Sequence, residues 1–427
     1  MTPVIPVGPE ARRLRFLFET RSGATPSSGV EEYWDGDINW VTPEDLGKLG
    51  DRYVRETRRR ITEEGYKNSA VNLALPGSIV LSKRAPIGQT AILAEPSTCN
   101  QGCFLLTRVD GVDERFYYYA LIYLRPALEA LGRGSTFMEL SADDLRSVRM
   151  PFPSEVDQQL IADYLDGETA RIDRLIAEKE RMLALLEEKG AALISRVVTR
   201  GLDTNAPLKP SGQEWLGEIP THWVIQPIKY LAVVGNGSTP SVENADYWDD
   251  EGYPWLNSSV VNVSPVTDAS RFVTEAALRE CHLPKIHPPA VLVGITGQGK
   301  TRGMAAMLGI EATINQHVAF IKPRTQELDT EYLRYLLLHA YAFLRSDSDG
   351  AGSTKGAITC EQLANMKIPV PPSSEQIDIC GRIRQSLEVS KPLRAEIQRS
   401  LDLLTERRSA LITAAVTGQF PLKEMNG

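Results

Sequence analysis

Two patterns of hydrophobic and polar residues alternate along the chain. The first consists of short apolar runs broken by Gly, Pro, Asn and Ser, as at 290–293, and it occupies residues 1–150 and 214–367. Apolar runs of this length between turn residues predict strands. A few helices are predicted among them, around 113–131 and 331–345. Both segments are therefore predicted to be globular domains of mixed α and β structure.

The second pattern is helical and occupies residues 151–200 and 368–427. Serine before an acidic first turn predicts helix starts near Ser154 and Ser373. A break is predicted at Asp166-Gly167, followed by a long helix. Apolar residues recur there at steps of four and three, which is the spacing of a coiled-coil seam. The seam positions are Ile172, Ile176, Leu183, Leu186, Leu193, Ile397, Leu401, Leu404 and Leu411.

These two seams predict a spacer made of two helices. A helix of about 30 residues is about 45 Å long at 1.5 Å per residue, so one small domain cannot cover its apolar face. The simplest arrangement packs the two seams against each other. Residues 201–213, which lie between the first long helix and the second globular segment, contain Pro and Gly without apolar periodicity and are predicted to be a linker.

The chain is also a tandem repeat with a period of about 215 residues, too long for a solenoid. The recurring segments are Gly23-Ala24-Thr25-Pro26-Ser27 with Gly237-Ser238-Thr239-Pro240-Ser241, Tyr33-Trp34 with Tyr247-Trp248, Asn100-Gln101 with Asn315-Gln316, and Gly134-Ser135-Thr136 with Gly352-Ser353-Thr354. The spacing between partners grows by a few residues along the chain, as loop insertions between two copies of one fold would produce. A duplicated module predicts internal pseudo-two-fold symmetry.

Composition and charge restrict the class of protein. The 427 residues carry a net charge of −8, and none of the four segments departs from neutrality by more than five charges, which argues against a stand-alone basic DNA-binding protein. A chain that reads DNA while partner subunits supply phosphate contacts remains compatible with this charge. The sequence lacks an apolar run of eighteen residues and a secretory signal, and its five scattered cysteines fit reduced thiols in a cytoplasm. We expect no membrane association, metal or cofactor.

Residues 294–301 read Gly-Ile-Thr-Gly-Gln-Gly-Lys-Thr, a literal match to the phosphate loop of nucleotide-binding proteins. That loop requires a strand before it and a helix after it. The stretch that follows, Arg302 to Gly309, is bracketed by glycines and too short for the helix, and the first copy has no such motif. A strand–loop–strand is therefore the favoured interpretation, and a phosphate-loop nucleotide-binding protein is kept as an alternative.

The order of motifs in both copies resembles that of a known family. Gly-x-Thr-Pro-Ser, Tyr-Trp, then Trp40 or Trp255, then Gly-Ser-Thr, Pro-x-Pro and Gln-x-x-Ile before a long helix resembles the specificity subunit of type I restriction–modification enzymes. Residues 209–223 are similar to the lead-in before that family's second recognition domain. The resemblance covers nearly the whole chain, although the first copy lacks the tryptophan-containing lead-in.

The resemblance implies an α+β fold with two α/β target-recognition domains, at 1–150 and 214–367, separated by two long helices that pack as an antiparallel coiled coil. It implies a non-catalytic subunit that reads a bipartite double-stranded DNA target, one half-site per domain. The helical segments, 151–200 and 368–427, would dock two methylation subunits, and restriction subunits would join them. A near relative of this function, the specificity partner of another modification or defence system, is kept as an alternative. A purely structural scaffold is an alternative from another class.

Loops of both copies supply the candidate DNA contacts. Hydroxyl groups in glycine-rich loops serve phosphates or base edges, and basic side chains serve phosphates. The arginines around Arg55 are expected on one helix face, with a solvated helix end as the alternative, and the Tyr-Trp pairs are expected in the core. The candidates are Thr25, Arg55, Arg59, Lys83, Arg84, Ser135, Thr136, Thr239, Gln298, Lys300, Arg302, Ser353, Thr354 and Lys355.

Overall fold

The protein is described by a computed structural model in which the chain forms two compact units. Unit 1 consists of Met1–Glu180 with Gln398–Gly427, and unit 2 of Arg181–Ile397. Each unit combines a mixed α/β part with pieces of the two longest helices. The described residues are 11–133, 138–297, 299–350 and 356–425, without the side chains of 349 and 350.

The strands of unit 1 form two larger sheets and a pair. The strands are β1 (Ala11–Arg13), β2 (Phe18–Ser22), β3 (Trp34–Val41), β4 (Tyr53–Val54), β5 (Arg60–Ile61), β6 (Ile79–Ser82), β7 (Thr90–Leu93), β8 (Ser97–Cys99), β9 (Cys103–Arg108) and β10 (Arg149–Pro151). One sheet has the order β2-β9-β6-β7-β4, another the order β5-β3-β8, and β1 pairs with β10. The β3–β8 and β4–β7 pairs are parallel, and the others are antiparallel.

The helices of unit 1 cover the larger sheet and extend into a long helix. They are α1 (Pro43–Gly47), α2 (Glu63–Lys67), α3 (Glu114–Leu131), α4 (Ala142–Ser147) and the first part of α5 (Glu155–Arg200). The predicted helix at 113–131 is confirmed by α3, and Asp113 caps it by accepting from the backbone N–H groups of Arg115 and Phe116 at 2.9 Å. Buried α3 residues pack with strands β2, β6 and β9 in the main core of the unit.

Unit 2 repeats this arrangement with its own strands and helices. Its strands are β11 (Leu208–Pro210), β12 (Glu218–Pro220), β13 (Val224–Pro227), β14 (Ala232–Asn236), β15 (Trp248–Asp249), β16 (Tyr253–Leu256), β17 (Arg271–Val273), β18 (Ala290–Gly294), β19 (Ala305–Leu308), β20 (Thr313–Ile314), β21 (Val318–Pro323) and β22 (Lys367–Val370). Its helices are α6 (Ile228–Leu231), α7 (Glu275–Glu280), α8 (Thr330–His339), α9 (Tyr341–Gly350), α10 (Cys360–Asn365) and most of α11 (Ser373–Val416).

Sheet topology confirms that the chain is a duplicated module. The order β2-β9-β6-β7 in unit 1 corresponds to β14-β21-β18-β19 in unit 2. The order β5-β3-β8 corresponds to β17-β16-β20, and the last pair of each is parallel. The two copies therefore share one fold, as the sequence repeat predicted.

The long helices bury the predicted seam. Along α5 and α11 every predicted seam position is buried or half-buried, whereas most positions between them are exposed. Ile172, Ile397 and Leu401 are the most deeply buried of the seam residues. The spacing of four and three residues therefore identified the packed face of both helices.

In each unit the two long helices run antiparallel. In unit 1, Arg408 of α11 donates to Asp173 of α5 at 2.8 Å, and Phe420, just beyond α11, stacks on Tyr164 at 5.2 Å between ring centroids. In unit 2, Arg394 donates to the carbonyl oxygen of Leu186 at 2.9 Å, and Leu387 lies beside Gly190. In both cases residue numbers rise along one helix as they fall along the other, so the predicted pairing of the seams is confirmed.

The break predicted at Asp166-Gly167 is wrong, because α5 continues without interruption from Glu155 to Arg200. An interior glycine costs a helix about 1 kcal/mol relative to alanine. Tertiary contacts of the two preceding residues offset that cost, since Leu165 is fully buried and Asp166 forms ion pairs with Arg52 and Arg115. The predicted start of this helix near Ser154 is confirmed, because the Ser154 hydroxyl group caps α5 by accepting from the backbone N–H of Asp157 at 3.2 Å.

Two further elements differ from expectation. The helix predicted over 331–345 is divided at Ala340 into α8 and α9. Residues 208–210, within the predicted linker, form strand β11, which pairs with β12 just before Trp223. Trp223 is fully buried and its indole N–H donates to Glu375 of α11 at 3.1 Å, so this lead-in is part of the folded unit.

Candidate nucleic-acid interface

A loop containing Thr25 is held in place by two tryptophans of unit 1. We call residues 23–27 and 237–241 the Thr-Pro loops. In unit 1 the indole N–H of Trp40 donates to the carbonyl oxygen of Ala24 at 3.0 Å, and that of Trp34 donates to Ser27 at 3.2 Å. Pro26 is buried beneath the loop, whereas Thr25 is exposed. The loop therefore presents its hydroxyl group to solvent from a fixed backbone.

The Thr-Pro loop of unit 2 has the same supports. The indole N–H of Trp255 donates to the carbonyl oxygen of Ser238 at 3.1 Å, and that of Trp248 donates to Ser241 at 3.0 Å. Pro240 is buried and Thr239 is exposed, like their counterparts. The recurrence of these bonds shows that the duplicated tryptophans pack against the loop. The Tyr-Trp pairs were expected in the core, and the structure buries Trp34 but leaves Tyr33, Tyr247 and Trp248 half-buried.

Each Thr-Pro loop contacts a second turn, which we call the Asn-Gln turn (100–102 in unit 1 and 315–317 in unit 2). The hydroxyl group of Thr25 donates to Oε1 of Gln101, and that of Thr239 donates to Oε1 of Gln316 at 2.5 Å. The preceding asparagines accept a backbone N–H within the turn. We did not predict the two glutamines as site residues. The recurrence of Asn-Gln in both copies is a signal that could have identified them.

Glycine is required where the loop and the turn meet. A Cβ atom on Gly23 would overlap the carbonyl oxygens of Asn100 and Cys99. A Cβ atom on Gly237 would overlap the carbonyl oxygen of Ile314. Since neither glycine has a positive φ, the requirement is for space rather than for backbone conformation. The first glycine of the repeated motif thus permits the two turns to touch in both units.

A basic side chain lies over the same tryptophans in each unit. Cζ of Arg59 is 3.6 Å from the ring centroid of Trp34, and Cζ of Arg271 is 3.7 Å from that of Trp248. The tryptophan pairs themselves meet edge to face. A guanidinium stacked on an indole is attracted to the ring and keeps its N–H edge available to an anion. Arg271 was not among the predicted site residues, although the recurrence of Arg-x-Ile/Val-Thr-Glu at 59–63 and 271–275 could have pointed to it.

The arginine-rich segment around Arg55 is not a helix, contrary to expectation. Residues 53–61 form strand β4, a loop and strand β5. Arg55 is exposed and pairs with Asp51 at 2.6 Å. Arg52 is directed inward to Asp166 and Tyr119 instead of toward solvent. Of this group, Arg59 is the one that lies on the tryptophan pair beneath the Thr-Pro loop.

The hairpin loops after β6 and β18 adjoin the Asn-Gln turns. The backbone N–H of Lys83 donates to the carbonyl oxygen of Gly102 at 2.9 Å, and that of Ile295 donates to His317 at 3.0 Å. The Lys83 side chain is mostly buried and pairs with Glu139 at 2.9 Å, so its charge is already matched. Arg84 is half-buried beside Gly102. The hairpin loop, the Asn-Gln turn and the Thr-Pro loop therefore form one continuous polar surface in each unit.

The Gly-Lys-Thr match belongs to a β-hairpin. Strand β18 ends at Gly294, and β19 returns antiparallel to it from Ala305, so a strand follows the motif where a phosphate loop needs a helix. The carbonyl oxygens of Gly299 and Lys300 accept from Arg345 at 2.6 Å and Tyr341 at 3.0 Å. These contacts support the strand–loop–strand and disfavour nucleotide binding. Lys300 is exposed, whereas Arg302 is 5% exposed, which does not fit its predicted contact with DNA.

Six predicted site residues lie outside the described part of the chain. They are Ser135, Thr136, Gln298, Ser353, Thr354 and Lys355. Of the remaining candidates, Thr25 and Arg59 lie together on the interface of unit 1. Thr239 and Lys300 are exposed residues of unit 2.

The cysteines of unit 1 lie beneath this surface and are not exposed ligands. Burial raises the pKa of Cys99 to about 12 and raises that of Cys103 well above the usual value. Their thiols are therefore neutral near pH 7. Among the described residues we find no group of three or more His, Cys, Asp or Glu placed to hold a metal ion. Within the same residues, no helix is both long and apolar enough to cross a membrane.

The chain is similar in sequence to proteins of one known family. The model of the type I restriction modification DNA specificity domain matches the chain twice, at residues 6–183 and 220–398. The chain is 26% identical to the type I restriction enzyme MjaIX specificity subunit of Methanocaldococcus jannaschii, covering 99% of this chain and 95% of that protein. It is 22% identical to the EcoBI specificity subunit of Escherichia coli, covering 81% and 74%.

A solved structure shares the fold of this chain over almost the whole length of the chain. A chain from a structure of the type I restriction–modification system superposes with a TM-score of 0.70 at 16% identity, covering 97% of this chain and 100% of that one. The two domain matches coincide with the two copies of the repeated fold and together span most of the sequence. The chain therefore belongs to the family of type I restriction–modification specificity subunits, the non-catalytic subunits that recognise the DNA sequence.

Proposed function

We propose that each of the two recognition domains reads one half of a split double-stranded DNA target. The observation that carries this proposal is the duplicated surface of Thr-Pro loop, Asn-Gln turn and tryptophan-stacked arginine, present once in each unit. A loop surface on a rigid scaffold suits base reading, because small changes in loops alter specificity without altering the fold. Two such surfaces in one chain suit two half-sites.

The proposed DNA contacts follow from exposure and charge. Thr25, Arg59, Thr239 and Lys300 are exposed on or beside these surfaces. The arginine and the lysine suit phosphates, and the threonine hydroxyl groups, which donate their hydrogens to glutamine, can accept from a donor on a base edge. Arg55 and Arg84 are assigned to the flank of the same surface in unit 1. Ser135, Thr136, Gln298, Ser353, Thr354 and Lys355 are retained as proposed contacts on the strength of the repeated sequence and its resemblance alone. Lys83 is left out because it is paired with Glu139, and Arg302 because it is buried.

We assign the recognition domains to 1–150 and 214–367, the helical spacer segments to 151–200 and 368–427, and the linker to 201–213, in which strand β11 pairs with β12 of the second domain. The helices have a further function in this proposal, since apolar side chains also lie outside the seam. Leu185, Val389 and Leu403 are each more than half exposed on α5 and α11. Exposed apolar side chains on a long helix suit docking of another protein. We assign this surface to methylation subunits, two of them, with restriction subunits joining the assembly.

The net charge of the chain fits a DNA-recognition subunit that acts within a multi-subunit complex. With a net charge of −8 the chain has no excess of cations to supply the non-specific phosphate contacts that dominate DNA affinity. In this proposal the partner subunits supply most of those contacts. The five cysteines carry free thiols, which suits a cytoplasmic location, where DNA and reduced thiols occur together.

A domain exchange tests the two-reader proposal. Residues 1–150 would be replaced by the first recognition domain of a family member with a different target, and the complex with methylation subunits would be expressed. We expect one half of the methylated motif to change and the other half to be unchanged, because each domain reads its own half. The mirror exchange at 214–367 serves as the matched control and should change the opposite half. A change in both halves, or in neither, would contradict the proposal.

A further inference from the structure

The Thr–Gln pair has the same geometry and exposure in both units, whereas the hairpin loops beside it differ. Thr25, Gln101, Thr239 and Gln316 are all exposed. The adjoining loops span 83–89 in unit 1 and 295–304 in unit 2, and they share little sequence. If the two units read different base sequences, the hairpin loops that differ between them are the better candidates for contacts with the bases. A Thr–Gln pair that is the same in both units is a better candidate for contact with a chemical feature common to both half-sites.

The fold does not depend on this pair to fix the Thr-Pro loop. The loop is already held by two indole N–H donors, a buried proline and the close approach at the glycine. A hydrogen bond between two exposed side chains adds little to stability, because water competes for both partners. The presence of the Thr–Gln pair in both units is therefore better explained by contact with a ligand than by a contribution to folding stability.

The hydrogen bond determines which group the glutamine presents. Because Oε1 accepts from the threonine hydroxyl, the amide nitrogen carries the two remaining donors. In the part of the chain that the structure describes, neither amide nitrogen has a hydrogen-bond partner. A group with donors alone suits an acceptor oxygen. Phosphate oxygens are the acceptors that every DNA sequence presents, and the stacked arginine of the same surface suits the same anion.

We propose that Gln101 and Gln316 each donate a hydrogen bond to a backbone phosphate of their own half-site, and so set the register of each domain on the duplex. This inference rests on the proposed function and adds a contact common to both domains. The threonine orients the amide, so Thr25 and Thr239 are positioning residues. Base selection then belongs to neighbouring loops and not to the glutamines.

The test is Gln316→Glu in the complex of the full chain with methylation subunits, with Gln101→Glu as a second variant. Binding would be measured with a duplex that carries the target motif and with a scrambled duplex of equal length. Replacing an amide donor with a carboxylate opposite a phosphate should weaken binding about tenfold or more on both duplexes. The methylated motif should be unchanged. Gln316→Leu removes the donors without adding charge and should weaken binding in the same direction.

Gln326→Glu is the matched control, because it adds the same charge to an exposed glutamine beyond the other end of strand β21. We expect it to leave DNA affinity within twofold of the unaltered complex. A relaxed or altered base in the motif of Gln316→Glu would overturn the proposal in favour of base reading. Unchanged affinity in folded Gln316→Glu and Gln316→Leu would overturn it in favour of a structural pair. Failure of the unaltered complex to prefer its target would refute the proposed function itself.

Discussion

Replacing Gly23 with alanine is expected to displace the Thr-Pro loop of unit 1 and to lower the free energy of unfolding by about 2–3 kcal/mol. The added Cβ atom would overlap the backbone oxygens of Asn100 and Cys99, and backbone cannot move aside as a flexible side chain does. Separating the two turns would also part Thr25 from Gln101. Urea unfolding would measure the loss of stability, and hydrogen exchange of 23–27 would report the displaced loop.

Gly29→Ala is the control for this change. Gly29 lies in the same region, has no atom within 4 Å of an added Cβ and does not have a positive φ. Its replacement should leave stability unchanged or slightly raised, because alanine restricts the unfolded chain. Equal stabilities of the Gly23→Ala and Gly29→Ala proteins would contradict the required contact between the loop and the turn.

Asp166→Ala is expected to destabilise unit 1 by about 3 kcal/mol, because it leaves two arginines without their shared carboxylate. Asp166 pairs with Arg52 and Arg115 and accepts from the hydroxyl group of Tyr119 at 2.8 Å. The side chains of Arg52 and Asp166 are only 21% and 22% exposed. Burial alone would lower the pKa of Arg52, but the hydrogen bond to Asp166 contributes to a net rise. Thermal unfolding would measure the effect.

Asp163→Ala provides a matched control on the same face of α5. Asp163 also pairs with Arg115, at 2.7 Å, but its side chain is 66% exposed. Ion pairs of this exposure contribute about 0–1 kcal/mol, so the change should have little effect on stability. If Asp163→Ala were as destabilising as Asp166→Ala, the attachment of α5 to the globular part would not depend on the buried carboxylate.

Periodicity in the sequence was sufficient to predict the long helices and their packed face. The seam residues from Ile172 to Leu411 are all buried or half-buried in the structure. A predicted break at Gly167 failed because the local preference of glycine is weak compared with the burial of Leu165 and the ion pairs of Asp166. The secondary-structure preference of a single residue is least reliable where its neighbours make strong tertiary contacts.

The candidate interface was only partly predictable. The repeat identified Thr25 and Thr239, but their glutamine partners are about 76 residues away in the chain, and only the folded sheet brings them together. Arg59 and Arg271 stack on equivalent tryptophans. Each begins an Arg-x-Ile/Val-Thr-Glu segment, at 59–63 and 271–275, and this recurrence could have identified Arg271 as the counterpart of Arg59. Arg302 was expected near DNA together with Lys300 in the loop between two strands, but within that loop its side chain is buried.

The most direct test of the two-reader account is the methylome of a host without adenine methylation that expresses this chain with its methylation subunit. We expect a split motif, with two short defined halves around an undefined gap, modified at adenine. Such a motif follows from two domains that each read their own half-site. An unsplit motif, or no new methylation when the two proteins are present and associated, would contradict the account.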